Sequence, residues 1–291
     1  MSQNPSLAVL GCGYVGAAVC RQARAAGLRA VGVVRSEASR ARLAAEGIEA
    51  VRADIVAGEL ARVAGPFDLV VYAASAGGGG LDGYRSAYVD GVRAALQWAE
   101  AVGARSFVFT SSTGVYRQDG EVDEHAVVGG SGTADILVEG ENLVLTSHFA
   151  TRAVLRLGGL YGPGRHYLYV QIANGNRVIA GQTSHRINYL HRDDAASAVL
   201  AAALAPTGSY TLNVTDGRPV VKADLARWIC ARLQVGTPVL DETATASRQP
   251  RAGAGQPPDR TIRADAIRQQ LGWQPVYPDV YAGLAADFPL T

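Results

Sequence analysis

The chain has 291 residues, 27 basic and 26 acidic, for a formal net charge of +1, with 48% hydrophobic and 18% charged residues. Disorder needs low hydrophobicity and high net charge, so a folded chain is expected. A nucleic-acid binder that works by bulk positive charge is excluded, because no cationic excess exists to displace counterions.

The longest aliphatic run, 195–205, is shorter than the roughly 20 residues of a membrane helix and is broken by Ser197. No basic stretch followed by an apolar core opens the chain. Cys12, Cys20 and Cys230 are odd in number and form no C-x-x-C pair, which argues against a disulfide framework or a metal site. A cytoplasmic protein without membrane or nucleic-acid partners is expected; a homodimer is left open.

Apolar runs of strand length alternate with Ala-rich runs of helix length through residue 157. Strands are predicted at 7–10, 30–34, 49–52, 69–74, 106–110 and 154–157, with helices at 15–26, 37–45, 84–102 and 134–147 between them. Near-continuous Val/Ile/Leu strands interleaved with helices predict a parallel α/β sheet covered on both faces, and right-handed crossovers make it doubly wound. Residues 1–157 read as a dinucleotide-binding domain and 158–291 as a smaller substrate-side lobe, with 187–205 packing back on the first. The Pro/Gly-rich stretch 248–259 reads as a mobile loop.

The first strand runs straight into Gly11-Cys-Gly13-Tyr-Val-Gly16, which opens a helix. In a dinucleotide fingerprint Gly11 serves the tight turn, Gly13 the close approach of a pyrophosphate, and Gly16 the packing of helix on strand. The phosphates sit on the helix N-terminus. The plain alternative is an ordinary glycine-rich turn. Tyr14 and Val15, within the turn, and Ala73 and Ala74, ending the fourth strand, are counted with this cofactor site.

Where the second strand ends, an NAD site usually carries an Asp or Glu for the ribose 2′-hydroxyl. Here Val34 is followed by Arg35 and Ser36. Arg35 suits a 2′-phosphate and Ser36 can donate to it, so NADP(H) is favoured over NAD(H); a solvated Arg35 is the alternative. Asp54 either accepts from the adenine amino group or caps the turn that follows it.

Four further segments carry a family likeness: Phe109-Thr-Ser-Ser112-Thr-Gly-Val-Tyr116, Leu155-Arg-Leu-Gly-Gly-Leu-Tyr161-Gly-Pro-Gly164, Asn188-Tyr-Leu-His191-Arg-Asp193-Asp194 and Tyr210-Thr-Leu-Asn213-Val-Thr-Asp216. Together with the fingerprint, the chain resembles the extended short-chain dehydrogenase/reductases of the NAD-dependent epimerase/dehydratase superfamily. The resemblance implies a Rossmann-type fold, an active-site hydroxyl at Ser112 and a cofactor contact at Tyr161. It breaks at the family's Tyr-x-x-x-Lys pair. Aligning Glu141 with the family's common Glu puts Ala134 and Val138 at those two positions, and the single lysine, Lys222, comes far later. The chain is therefore similar to atypical members that keep the cofactor fold without the dyad.

Hydride transfer needs a bound nicotinamide and a group that polarises the substrate. Ser112 is the first candidate, with Tyr116 and His166 as its partners, because an imidazole titrates near neutrality. Arg165 and Tyr167 are assigned to a small-molecule substrate, Arg165 as a clamp for a carboxylate or phosphate or as a surface ion pair. Asp193 and Asp194 read as helix-capping acids. The favoured function is an NADP(H)-dependent oxidoreductase acting on a small carbonyl or imine. A nucleotide-sugar epimerase/dehydratase with bound NAD, and a non-catalytic NADP-binding sensor or assembly factor, are the alternatives.

Overall fold

A computed structural model describes residues 5–130, 132–244 and 258–289; the loop expected at 248–259 lies outside the described residues up to 257. Seven strands form the central sheet: β1 Ser6–Leu10, β2 Arg29–Val34, β3 Glu49–Arg52, β4 Leu69–Tyr72, β5 Ser106–Ser112, β6 Thr151–Leu157 and β7 Gly208–Val214. Their order is β3-β2-β1-β4-β5-β6-β7, and every neighbouring pair is parallel. This is the Rossmann-type doubly wound sheet expected from the alternating runs. Its seventh strand comes from beyond residue 157, so the sheet draws on both sides of that position.

The helices are α1 Tyr14–Ala25, α2 Glu37–Ala45, α3 (Gly80–Arg85, Ser86–Asp90 and Gly91–Ala101 in sequence), α4 Thr133–Leu145, α5 Tyr167–Ala173, α6 Arg192–Ala203, α7 Lys222–Arg232, α8 Asp265–Leu271 and α9 Val280–Asp287. Alternation along each strand divides the core between two faces. Leu7 and Val9 of β1 pack with α1 and α6, whereas Ala8 and Leu10 face Val92, Ala95 and Trp98 of α3. Alanines at 17, 18, 195, 198 and 202 are buried, so small side chains let α1 and α6 approach closely.

The third helix departs from expectation by starting at Gly80 and by passing through a π-helical turn at Ser86–Asp90. The π-helical turn lies against Tyr72, whose hydroxyl donates to the Ala87 carbonyl, while a Cβ at Gly91 would overlap that same hydroxyl. Widening the helix gives the tyrosine an acceptor inside the core.

The remaining elements build a second core from Tyr161, Leu168, Ile172, Tyr189, Leu225 and Leu284, among others. Short ladders brace it: Gly159–Tyr161 beside Tyr189–His191, and Arg186–Ile187 beside Val220–Val221. No helix among the described residues is long and apolar enough to cross a membrane. In such a sheet ligands bind outside the carboxyl ends of the strands, at the point where the winding reverses. Here that point lies between β1 and β4.

Candidate functional site

A cleft of about 1750 Å³ opens at that reversal, lined by the strand-end loops on one side and by residues of the second lobe on the other. Its floor begins at the glycine turn. Gly11 sits at φ +86° against β4, where a Cβ would overlap the Ala74 backbone. The N–H groups of Gly11 and Cys12 both donate to the Val33 carbonyl, at 3.0 and 2.9 Å. At Gly16 a Cβ would lie 2.7 Å from the Gly11 oxygen and 3.0 Å from Val9 Cγ1, so the helix rests directly on the strand.

Gly13 is the N-cap of α1. It brings no side chain to cap the helix, and no acidic residue occupies the first turn. The orphan N–H groups and the positive end of the helix dipole are thus left for an anionic ligand. A Cβ at Gly13 would meet nothing nearer than the Gly11 oxygen at 4.0 Å, so the space above the turn is open. These features fit a dinucleotide diphosphate. Tyr14, Val15, Ala73 and Ala74 line the same cleft.

At the far end Arg35, Ser36, Ser39 and Arg42 line the wall. Arg42 pairs with Glu46 at 2.7 Å; Arg35 is exposed and makes no ion pair among the described residues. Ser36 is the N-cap of α2, its Oγ accepting from the Ser39 N–H at 3.2 Å and donating to Ser39 Oγ at 2.9 Å. Asp54 also lines the cleft, and its Oδ1 caps the turn by accepting from the N–H groups of Val56 and Ala57 at 3.0 and 3.1 Å.

Near the middle, β5 delivers Ser112, half-buried, with Oγ accepting from the Gly114 N–H at 3.0 Å. Tyr116 borders the cleft, but its hydroxyl donates to Asn213 Oδ1 and accepts from Arg156, both at 2.8 Å. That hydroxyl therefore belongs to a buried network rather than to the cleft. From α4 the residues lining the cleft are Thr133 and Leu137. Ala134 is fully buried and, like Val138, is not among the residues lining the cleft.

In the second lobe Tyr161, Arg165, His166 and Tyr167 all line the cleft. The Tyr161 hydroxyl turns away to the Asp279 carbonyl at 3.2 Å, while Tyr167 is 43% exposed. Arg165 lies over the Tyr14 ring, 4.9 Å from its centroid. This arginine therefore sits beside the glycine turn. His166 is 3% exposed, and its Nδ1 caps α5 by accepting from the Tyr169 N–H at 3.1 Å. The neutral ring then carries its proton on Nε2, which is buried without a partner. Burial pushes its pKa down to about 4, which leaves the imidazole neutral at physiological pH.

Among the lining residues outside the sequence-derived set are Gln182, Lys222 and Arg260. Arg260 donates to the Thr113 carbonyl at 2.9 Å, and burial lowers its pKa to about 10. Lys222 lies far along the chain from the glycine turn and from Ser112. A ladder between remote segments brings it to the wall, a pairing no local pattern announces.

Behind the site Asp216 follows β7. Its Oδ1 accepts from the Arg218 N–H at 2.8 Å, and Oδ2 is buried without a partner. Burial pushes its pKa up to about 7, above the unfolded value of about 3.9. Its contribution to stability is therefore fully present below the unfolded pKa and is lost as pH rises to 7. His166 acts in the opposite sense, since its depressed pKa makes stability rise between about 4 and 6.5. Replacing Asp216 by Asn should give a melting temperature whose advantage over wild type grows by several degrees between pH 4 and 7. A difference that is flat across this range would mean that Asp216 ionises normally.

Residues 11–206 match a family model described as NAD(P)H-binding. Protein YeeZ of Escherichia coli strain K12 is 32% identical over 135 residues, covering 44% of this chain and 46% of that protein. The chain thus spans about half the length of the curated relatives it matches. Among solved structures, a functionally unknown conserved protein from Silicibacter pomeroyi has a TM-score of 0.78 at 22% identity, with 98% of each chain covered. A putative NAD-dependent epimerase/dehydratase from Methylobacillus flagellatus has a TM-score of 0.74 at 26% identity, with 97% of each covered. MoeE5 in complex with UDP-glucose and NAD has a TM-score of 0.80 at 19% identity, again over 97% of each. At such identities the first and last of these speak for the fold alone.

Proposed function

The chain belongs to the NAD(P)H-binding family, and from that premise we propose that it is a cytoplasmic NADP(H)-dependent oxidoreductase acting on a small carbonyl or imine. The observation that carries this reading is one continuous cleft joining the uncapped N-terminus of α1 to Ser112 and His166. When bound, the nicotinamide supplies or accepts the hydride. The turn at Gly11, Gly13 and Gly16 holds the diphosphate through backbone N–H groups, and Arg165 adds a cation at its edge. Arg35 takes the 2′-phosphate.

Ser112 hydrogen-bonds and orients the substrate oxygen or nitrogen beside the neutral His166 ring, and the proton that accompanies the hydride is delivered by water entering the cleft. Tyr116 acts through its buried bonds to Arg156 and Asn213 as a positioning residue. Leu137 and Tyr189 contribute to the walls of the cleft. A sensor without catalysis is the second reading, favoured by α4, which offers the cleft a hydroxyl at Thr133 and a hydrocarbon at Leu137 and no group that ionises near neutrality.

Fluorescence titration with NADPH and NADH tests the cofactor assignment. Arg35→Ala should weaken NADPH binding about tenfold or more, as expected for a lost charge-assisted bond, and leave NADH nearly unchanged. A wild-type preference for NADH would overturn the assignment. NADPH oxidation against a panel of carbonyls and imines separates enzyme from sensor. Turnover that falls about 100-fold in Ser112→Ala supports the enzyme, whereas cofactor binding with no turnover on any compound supports the sensor.

A further inference from the structure

Two cations line the substrate side of the cleft without a direct ion-pair partner among the described residues. Arg260 directs both terminal nitrogens at backbone carbonyls, those of Tyr116 and Thr113, in the turn that follows Ser112. Lys222, at the start of α7, donates to the carbonyls of Ala180 at 2.8 Å and Gln182 at 3.4 Å. Neither has an ion-pair partner within 4.0 Å among the described residues, which hold sixteen such pairs in all. Burial lowers the pKa of both groups. A desolvated cation without a counter-charge is costly to keep. Lysine at the first position of a helix is also opposed by the helix dipole, which favours acids there.

The two cations flank one strand. Arg186–Ile187 pairs with Val220–Val221, next to Lys222. On its other side the Arg186 N–H bonds Asp259 at 2.8 Å, and Asn188 Nδ2 bonds the Arg260 carbonyl at 2.9 Å. Gln182, whose carbonyl accepts from Lys222, carries a buried Oε1 with no donor among the described residues and also lines the cleft. The carboxylate that lines this end, Glu242, is turned to Thr183, accepting from its N–H at 3.2 Å and its hydroxyl at 3.1 Å.

We infer that Lys222 and Arg260 receive an oxyanion of the substrate, with Gln182 accepting from a hydroxyl or amino group beside it. The substrate is then a carbonyl or imine compound bearing a carboxylate or a phosphate ester, held by its anionic end in the second lobe. This rests on the oxidoreductase reading only for the identity of the reacting end.

Lys222 is the sole lysine of the chain, so protein grown with 13Cε-lysine gives one side-chain signal that reports on this site directly. With NADP+ saturating, so that the cofactor's own phosphates are already placed, the protein is titrated with pyruvate, dihydroxyacetone phosphate, neutral dihydroxyacetone and UDP-glucose. A saturable shift of the Lys222 signal with pyruvate or dihydroxyacetone phosphate, absent with dihydroxyacetone, is expected, and the stronger of the two identifies the anion as carboxylate or phosphate. Lys222→Met should raise the KM of the responding compound about tenfold and leave that of a neutral carbonyl unchanged, with Arg260→Lys as a second variant.

No shift with either small anion overturns the inference, and so does a response confined to UDP-glucose. Turnover of neutral carbonyls without a shift leaves the oxidoreductase reading standing and removes only the anion site. A shift without turnover of any compound does the reverse.

Discussion

Replacing Glu141 by alanine is expected to cost about 3–5 kcal/mol of folding stability, the loss that follows when one partner of a buried ion pair is removed. Glu141 and Arg156 have side chains only 2% and 6% exposed, and they meet at 2.7 Å. The carboxylate also accepts from Ser111 Oγ at 2.6 Å. Arg156 donates in turn to the Tyr116 hydroxyl, which donates to Asn213. One network therefore ties α4, β5, β6 and β7 together directly behind Ser112. Alanine would leave a buried guanidinium uncompensated, and its neighbours cannot rotate to replace two carboxylate oxygens. Urea denaturation, with the slope checked for an unchanged transition, measures the loss. The double variant Glu141→Leu, Arg156→Met removes both charges and should recover most of the stability. An Ala variant as stable as wild type would mean that the pair does not form.

The same residue explains why the sequence could be read for fold but not for the face of α4. Glu141 served as an alignment anchor, which fixes a position along the chain but not the rotation of a helix. Thr133, Leu137 and Glu141 lie four residues apart and share one stripe of α4. The demand that Glu141 reach Arg156 therefore sets the rotation that brings Thr133 and Leu137 to the cleft. The strands β1, β2, β4 and β5 were legible because each is a short, largely apolar run between turns and is mostly buried, whereas β3 is a partly exposed edge strand. Ser36 and Asp54 were ambiguous for a definite reason, since the same oxygen that caps a turn can also bind a ligand. Arg260 was invisible. Its strand, Arg260–Ile262, is three residues long and pairs with Gly120–Val122, a partner chosen by tertiary packing rather than by local pattern.

Gly11→Val is expected to abolish detectable NADPH binding, with a loss of at least about 100-fold. Two costs combine. Gly11 has φ +86°, a region that costs an L-residue roughly 1–2 kcal/mol and a β-branched one more. Its Cβ would also overlap the backbone of Ala74, where a strand end cannot give way as a flexible side chain could, and such overpacking costs about 1–3 kcal/mol. The turn must move, which breaks the paired bonds from Gly11 and Cys12 to Val33 and misdirects the N–H groups above α1. Gly13→Ala separates the cradle from the fold. Gly13 has φ −89° and a Cβ there touches no protein atom closer than 4.0 Å, so the melting temperature should stay near wild type while the methyl occupies the space of the diphosphate and weakens NADPH about tenfold or more. If Gly13→Ala binds NADPH as wild type does, the diphosphate does not lie against this turn, and the assignment of the cleft to a dinucleotide falls with it.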